Sequence, residues 1–268
     1  MKISVVIPTY NRYELLKKAL TSVFSQTYQA SEVIVIDDGS TDNTKNILYD
    51  FPNIIYIYQD NSGVSSARNQ GIKNATNEWM AFLDSDDEWH RDKLQKQVDF
   101  HQKNSDILMS YTDEKWIRDG IEVKIPKKFQ KIAKDVFREN IEYCNIAPSS
   151  TIIHISLLDE VGLFDESLEV CEDYDLWLRV AVLHDIGLIN QKLIIKYAGH
   201  KEQLSFKYWG MDRFRVLALE KLLKLHDNLL IKETLLKKYK LLLKGSIKYD
   251  RTLDTKKYEM KIKKLHDN

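Results

Sequence analysis

Cysteine is nearly absent: Cys144 and Cys171 are the only two in 268 residues. Two thiols cannot build a disulfide framework, so free cysteines in a reducing compartment are expected. Also missing is any uncharged run near the roughly 20 apolar residues that a membrane span needs. The opening MKISVVIPTYNR has only a short apolar run broken by Pro8, unlike a signal peptide. A cytoplasmic location follows as the expectation, with contact at the inner face of a membrane limited to its surface. Neither GxGxxG nor GxxxxGK with Ser or Thr follows the first apolar run, which disfavours dinucleotide and ATP binding of those kinds. No internal repeat or low-complexity linker stands out. Net charge is lacking too, since 40 Lys and Arg balance 40 Asp and Glu.

That balance hides a polarity along the chain. Residues 211–268 hold 16 Lys and Arg against 8 Asp and Glu, leaving 24 against 32 in residues 1–210. An acidic body argues against nucleic acid as a partner, because phosphate backbones need clustered cations. A cation suits it better.

The length fits one large domain, or one domain and an appendage, and 43% hydrophobic residues can fill its core. Ile3 to Ile7 reads as a strand buried on both faces, and Val33 to Ile36, Ile54 to Tyr58 and Trp79 to Leu83 read as further strands. RYELLKKALTSVFSQT, GVSSARNQGIKNA and RDKLQKQVDFHQ have helical spacing, and TDNTKNILYDF suits a shorter helix. Asn11 and Glu14 stand three apart, as an N-cap and its N3 partner do. Ile107 to Tyr111 reads as a further strand. This alternation predicts an α/β fold with a mostly parallel sheet between helices over residues 1–112, then a weaker pattern through about 160. Residues 211–268 are Leu- and Lys-rich at helical spacing. They read as two or three amphipathic helices, either a cap with a solvated lysine face or a surface for anionic membrane.

Ligands of such sheets bind beyond the carboxyl ends of the strands. PTYN, DDGS and DSDD each lie just past a predicted strand. Asp84, Asp86 and Asp87 crowd three like charges into four positions, a cost that a divalent cation removes. Mn2+ or Mg2+ binds one or two carboxylates and fills its remaining positions with phosphate and water, so the DxD turn resembles half a coordination sphere. The alternative is a solvated acidic turn. Asp38 can accept from a base or ribose, or cap a helix. Thr9 and Asn11 can face a nucleotide, although Asn11 also suits a cap. Arg68 is a partner for phosphate or for the acidic edge, or an ordinary surface arginine.

VVIPTYNR, VIDDGSTDNT, GVSSARNQGI and AFLDSDDEW, in this order, resemble the nucleotide-binding half of the family 2 glycosyltransferases, which have the GT-A fold. VGLFDESLEVCEDYDLWLRV is similar to their acceptor-side signature. The resemblance covers about residues 2–205 and implies a domain over 1–210, with a nucleotide-sugar half (1–112) and an acceptor half (113–210). It leaves 211–268 as a helical appendage.

The resemblance also implies roles. Pro8, Thr9, Asn11, Arg68 and Asp38 line the donor site, with Asp38 on the base of a nucleotide-diphosphate sugar, most often uridine-linked. Asp84 lies near the ribose and metal, Asp86 coordinates Mn2+ or Mg2+, and Asp173 is the catalytic base. His200 matches a further metal or phosphate ligand, but Ala198 and Gly199 stand where relatives often carry Arg. The implied acceptor is a glycan, a lipid-linked carrier or a protein, in surface-glycan synthesis.

Sugar transfer needs a leaving diphosphate whose charge is neutralised and a base for the attacking hydroxyl, which matches this set of residues. Direct displacement inverts the anomeric carbon and needs no enzyme nucleophile, and nothing near Cys171 marks it as activated. Asp175 and Arg179, at i and i+4, suit an ion pair. Trp89 and Trp209 suit either packing or sugar stacking, and His90 and His154 read as structural. A haloacid-dehalogenase phosphatase also uses DxD at a strand end, but usually on its first strand. A non-catalytic nucleotide-sugar-binding subunit is the remaining rival.

Overall fold

β-Branched runs are stiff at χ1 and pack well on a pleated surface, so they build the strands here. The computed structural model describes residues 1–131, 134–197, 208 and 210–267. β1 (Ile3–Thr9), β2 (Glu32–Asp38), β3 (Ile55–Gln59) and β4 (Trp79–Phe82) lie parallel in the order β3-β2-β1-β4. Every residue of β1 is buried. α1 (Tyr13–Phe24), α2 (Ile47–Asp50) and α3 (Val64–Asn74) return the chain between these strands. α1 buries Leu16, Ala19, Leu20 and Val23, the stripe its spacing predicts. Gly71 lets α3 press onto the sheet: a Cβ there would meet Val6 Cγ1 at 2.2 Å.

After β4 the pattern becomes mixed. The chain continues through β5 (Asp87–Trp89), α4 (Lys93–Lys103), β6 (Met109–Arg118), β7 (Ile121–Val123) and α5 (Val136–Ile141). It then forms β8 (Thr151–His154), α6 (Ile155–Val161), α7 (Glu172–Ala181) and β9 (Gly187–Tyr197). The sheet order is β3-β2-β1-β4-β8-β6-β9-β5, with β7 paired to β6. β8 enters antiparallel to both β4 and β6, so the parallel run ends at β4 and resumes only between β6 and β9. β6 extends well beyond the apolar stretch at 107–111, because β7 and β9 pair with its polar second half.

The basic tail forms α8 (Asp212–Leu225), α9 (Leu229–Lys248) and α10 (Thr252–Asp267). Val216, Leu219, Leu222, Ile231, Leu235, Tyr239 and Tyr258 share one apolar core with Ile141, Val170, Tyr174 and Leu178. Some of its charge is neutralised internally. Buried Lys238 donates to Asp212 and to the Glu142 carbonyl, Lys221 pairs with Asp165 and Asp175, and Lys261 pairs with Glu220. Lys240, Lys244, Lys248, Leu253 and Met260 remain exposed. No helix among the described residues is long and apolar enough to cross a membrane.

Candidate active site

β2, β1 and β4 are neighbours, so their carboxyl ends bring the three polar clusters to one edge of the sheet. Pro8 and Thr9 close β1, with Thr9 beside Asp37 of β2. Thr9 is 3% exposed, and its Oγ1 has no hydrogen-bond partner among the described residues. A buried hydroxyl left in that state costs stability unless something completes it. Asn11 is held at φ 51°, a left-handed conformation that Asn tolerates. It is not the cap expected from its spacing. Arg12 occupies the N-cap position of α1, and Asn11 Oδ1 instead accepts from the Thr41 and Asp42 N–H groups at 2.7 and 3.2 Å. The Asn11 N–H donates to Ser40 Oγ, so the loops after β1 and β2 are tied together. Gly39, at φ +86°, makes the turn that allows this.

Asp38 accepts from Gln59 Nε2 at 2.7 Å and from the Ser62 and Gly63 N–H groups at 2.8 and 2.9 Å. It thereby fixes the chain entering α3 while standing at the sheet edge.

In the acidic turn each carboxylate has a different environment. Asp86 pairs with Arg12 at 3.3 Å. Asp87 turns inward and accepts from Ser149 Oγ at 2.6 Å. Burial, with Asp86 and Asp84 nearby, raises its carboxyl well above the usual range, against the pull of Lys196 and Ser149. Asp84 accepts from Arg68 at 2.7 Å. Burial opposes its ionisation, but the charges of Arg68, Lys196 and Arg12 outweigh that and hold it below the usual range.

Arg68 is buried, not a surface residue. One nitrogen donates to Asp84 Oδ1 at 2.7 Å and another to Glu172 Oε1 at 2.6 Å. The planar fork suits such double engagement, and the Phe164 ring lies 5.2 Å beneath it. This one side chain therefore links the end of β4 to the first turn of α7. Burial, reinforced by Asp173 and countered by Arg68, pushes Glu172 up to about 7.

Asp173 follows on the same turn, half-buried, with Oδ1 accepting from the Tyr174 N–H at 2.7 Å. Its Oδ2 accepts from the Cys144 thiol at 3.3 Å. Cys171 adopts φ 65° just before this pair, a sparsely populated conformation of the kind that gathers at functional sites. Burial and the charge of Asp173 push its thiol up to about 12, so it is no activated nucleophile.

Several residues resolve as structural. Trp89 is 4% exposed, donates to the Ser149 carbonyl and lies under Lys93, so it packs and does not stack on sugar. Asp175 and Arg179 pair at 2.9 Å as expected, but inside the fold. His154 caps α6 by accepting from the Ser156 N–H. His200 and Trp209 lie outside the described residues. The sequence marks Glu172 only as the neighbour of Asp173 in an acidic pair, and it does not mark Arg12, Ser149, Glu114 or Lys196 as site residues. Their relation to the acidic turn depends on contacts across long stretches of chain.

Among the described residues no three of His, Cys, Asp and Glu are gathered into a ready metal cage. Asp84 and Asp86 nonetheless fit Mn2+ or Mg2+ by the chemistry of their donors, two hard carboxylates at one turn.

Residues 4–161 match the family model described as glycosyl transferase family 2. A curated relative is the Escherichia coli protein WfgD, UDP-Glc:alpha-D-GlcNAc-diphosphoundecaprenol beta-1,3-glucosyltransferase. It is 31% identical over 218 residues, which are 80% of this chain and 82% of that protein. Other relatives are longer: the chain spans about a third of an uncharacterized glycosyltransferase of Rickettsia felis, 36% identical over 195 residues that are 72% of this chain. Among solved structures, S. aureus TarS 1-349 in complex with UDP-GlcNAc matches with a TM-score of 0.71 at 24% identity, over 88% of this chain and 71% of that one. The mannosyltransferase PcManGT from Pyrobaculum calidifontis, in complex with GDP-Man and Mn2+, matches at 0.65 and 16% identity, over 99% and 84%.

Proposed function

The chain belongs to glycosyl transferase family 2 and has the GT-A fold, and from that premise we propose that it moves a sugar from a UDP-linked donor to a hydroxyl acceptor, with Mn2+ or Mg2+ and inversion at the anomeric carbon. Arg68 carries this proposal. Its bridge from Asp84 to Glu172 supports a single cleft shared by the acidic turn and Asp173.

The nucleotide lies over the ends of β1 and β2, against Thr9, Asn11 and Asp38, and a donor group completes the orphaned Thr9 hydroxyl. The diphosphate lies toward Asp84 and Asp86. When bound there, the ion supplies Lewis-acid neutralisation of the charge growing on the leaving diphosphate. Asp173 takes the proton of the acceptor hydroxyl as its oxygen bonds to the anomeric carbon and the bond to the diphosphate oxygen breaks. Cys144 and the Tyr174 N–H hold Asp173 from two sides, which favours one orientation of the base. Arg68 keeps α7 docked on β4 during that step. Residues 1–112 then form the donor half and 113–210 the acceptor half. The lipid-diphosphate acceptor in WfgD's description supports a place in surface-glycan assembly, with the exposed lysines of α9 turned to an anionic membrane.

The test is a panel of nucleotide sugars with and without Mn2+, reading thermal shift and slow release of free nucleotide. A UDP-sugar that both stabilises the protein and is hydrolysed in the presence of metal is the expected result. Stabilisation without any turnover identifies a non-catalytic binder instead. Hydrolysis of a generic phosphomonoester with no response to UDP-sugars identifies a phosphatase.

A further inference from the structure

β9 runs between β6 and β5 in the sheet. The register sets Lys196 opposite Asp87 of β5 on one side and opposite Trp116 of β6 on the other. Residues directly opposite share a face of the sheet, and so do residues two apart on one strand, which adds Glu114. The turn bearing Asp84 and Asp86 leads straight into β5. Lys196 thus stands among four carboxylates, and although burial opposes its charge, Asp87, Glu114, Asp84 and Asp86 together outweigh that and favour the charged form.

The other cations of this cluster are committed. Arg12 pairs with Asp86, Arg68 with Asp84 and Glu172, and Lys131 with Glu114 at 2.7 Å. Both oxygens of Glu114 are taken, since Trp116 Nε1 donates to the second. Asp87 is turned onto Ser149. The Lys196 side chain, by contrast, makes no hydrogen bond and no ion pair within 4 Å among the described residues. An ammonium kept only as a structural counter-ion would close onto one of its four neighbours. This one stays unpaired on a side chain that is only partly buried.

We propose that Lys196 Nζ binds an oxygen of the donor diphosphate, giving the acidic turn a resident cation in addition to a divalent ion. The inference rests on the donor site proposed above. It makes nucleotide binding partly independent of metal. In EDTA the phosphates still meet Lys196, whereas the nucleoside alone gains nothing from it.

The full chain is titrated with UDP and with uridine by calorimetry, in EDTA and in Mn2+, as the wild type, as Lys196→Met and as Lys196→Arg. A charge-assisted hydrogen bond to phosphate is typically worth a factor of about 10–100 in affinity. Lys196→Met should therefore weaken UDP binding in EDTA by about 10–100-fold and uridine binding by less than about threefold, and Lys196→Arg should restore most of the loss. The inference fails if Lys196→Met binds UDP in EDTA as the wild type does, if UDP and uridine weaken equally, or if wild-type UDP binding vanishes without Mn2+. Uridine and UDP both failing to bind the wild type under any condition would overturn the donor site and this inference together. Melting curves establish that each variant is folded before it is titrated.

Discussion

Glu172→Gln isolates the electrostatics at the Arg68 bridge between β4 and α7. In the folded protein Glu172 titrates at about 7, against an ordinary 4.5. Below pH 4.5 both folded and unfolded chains hold the proton, and the group does not affect stability. Between the two values the unfolded chain ionises while the folded one stays protonated, so the folded state binds more protons and loses stability as pH rises. Each tenfold difference in proton affinity between the two states corresponds to about 1.4 kcal/mol. From pH 5 to pH 8 the wild type should thus lose roughly 2–3 kcal/mol that the non-titrating Glu172→Gln protein keeps. At roughly 2–4 °C per kcal/mol for a chain of this size, the melting temperature of the variant should rise relative to wild type by about 4–12 °C over that window. Paired melts at pH 5, 6, 7 and 8 measure it, because titrating groups that do not interact with Glu172 cancel in the difference. A difference that stays flat to within about 1 °C, less than about half a kcal/mol on the same scaling, would refute the reasoning. Glu172 would then ionise normally, with the opposing charge of Arg68 outweighing its burial.

Asp173→Asn should retain UDP-sugar binding while transfer falls by about 10²–10⁴-fold, the usual contribution of a positioned base; unchanged transfer removes Asp173 from that role. Asp86→Ala should lose the Mn2+-dependent thermal shift and the release of UDP together, and survival of both would place the metal elsewhere. Trp89→Phe leaves the buried Ser149 carbonyl without its donor and should cost about 1–3 kcal/mol of stability with donor KM unchanged; a raised KM at full stability would instead indicate contact with the substrate. Each lysine near an anionic bilayer contributes about 1 kcal/mol. Neutralising Lys240, Lys244 and Lys248 to Gln should accordingly weaken sedimentation with phosphatidylglycerol vesicles roughly 100-fold, and equal sedimentation of the wild type with neutral vesicles refutes the electrostatic attachment.

Local pattern alone carried the first half of this protein. Runs such as Ile3 to Ile7 place strands because their side chains admit no wet face, and the stripe of α1 is written at helical spacing. The placing of PTYN, DDGS and DSDD beyond strand ends follows from the same alternation, and so does their meeting at one sheet edge. The long polar half of β6 and the antiparallel insertion of β8 were not legible. Their residues are satisfied by partners distant in sequence, and a pattern of neighbours does not name those partners. Asn11 shows the limit within a single motif. Its spacing to Glu14 suits a cap, but two backbone N–H groups some 30 residues away bind its side chain more completely.

The sequence by itself determined which chemical groups this site possesses: hard carboxylates after β4, a second acidic pair before an amphipathic helix, and a basic tail. Only the tertiary structure decided their states. Asp84, Asp86 and Asp87 are near-equivalent on paper, yet Arg68, Arg12 and Ser149 give them three different environments. Charge, burial and hydrogen bonding act through space over a few ångströms, and some of the groups that supply them here, such as Arg68 and Glu172, are 104 positions apart along the chain.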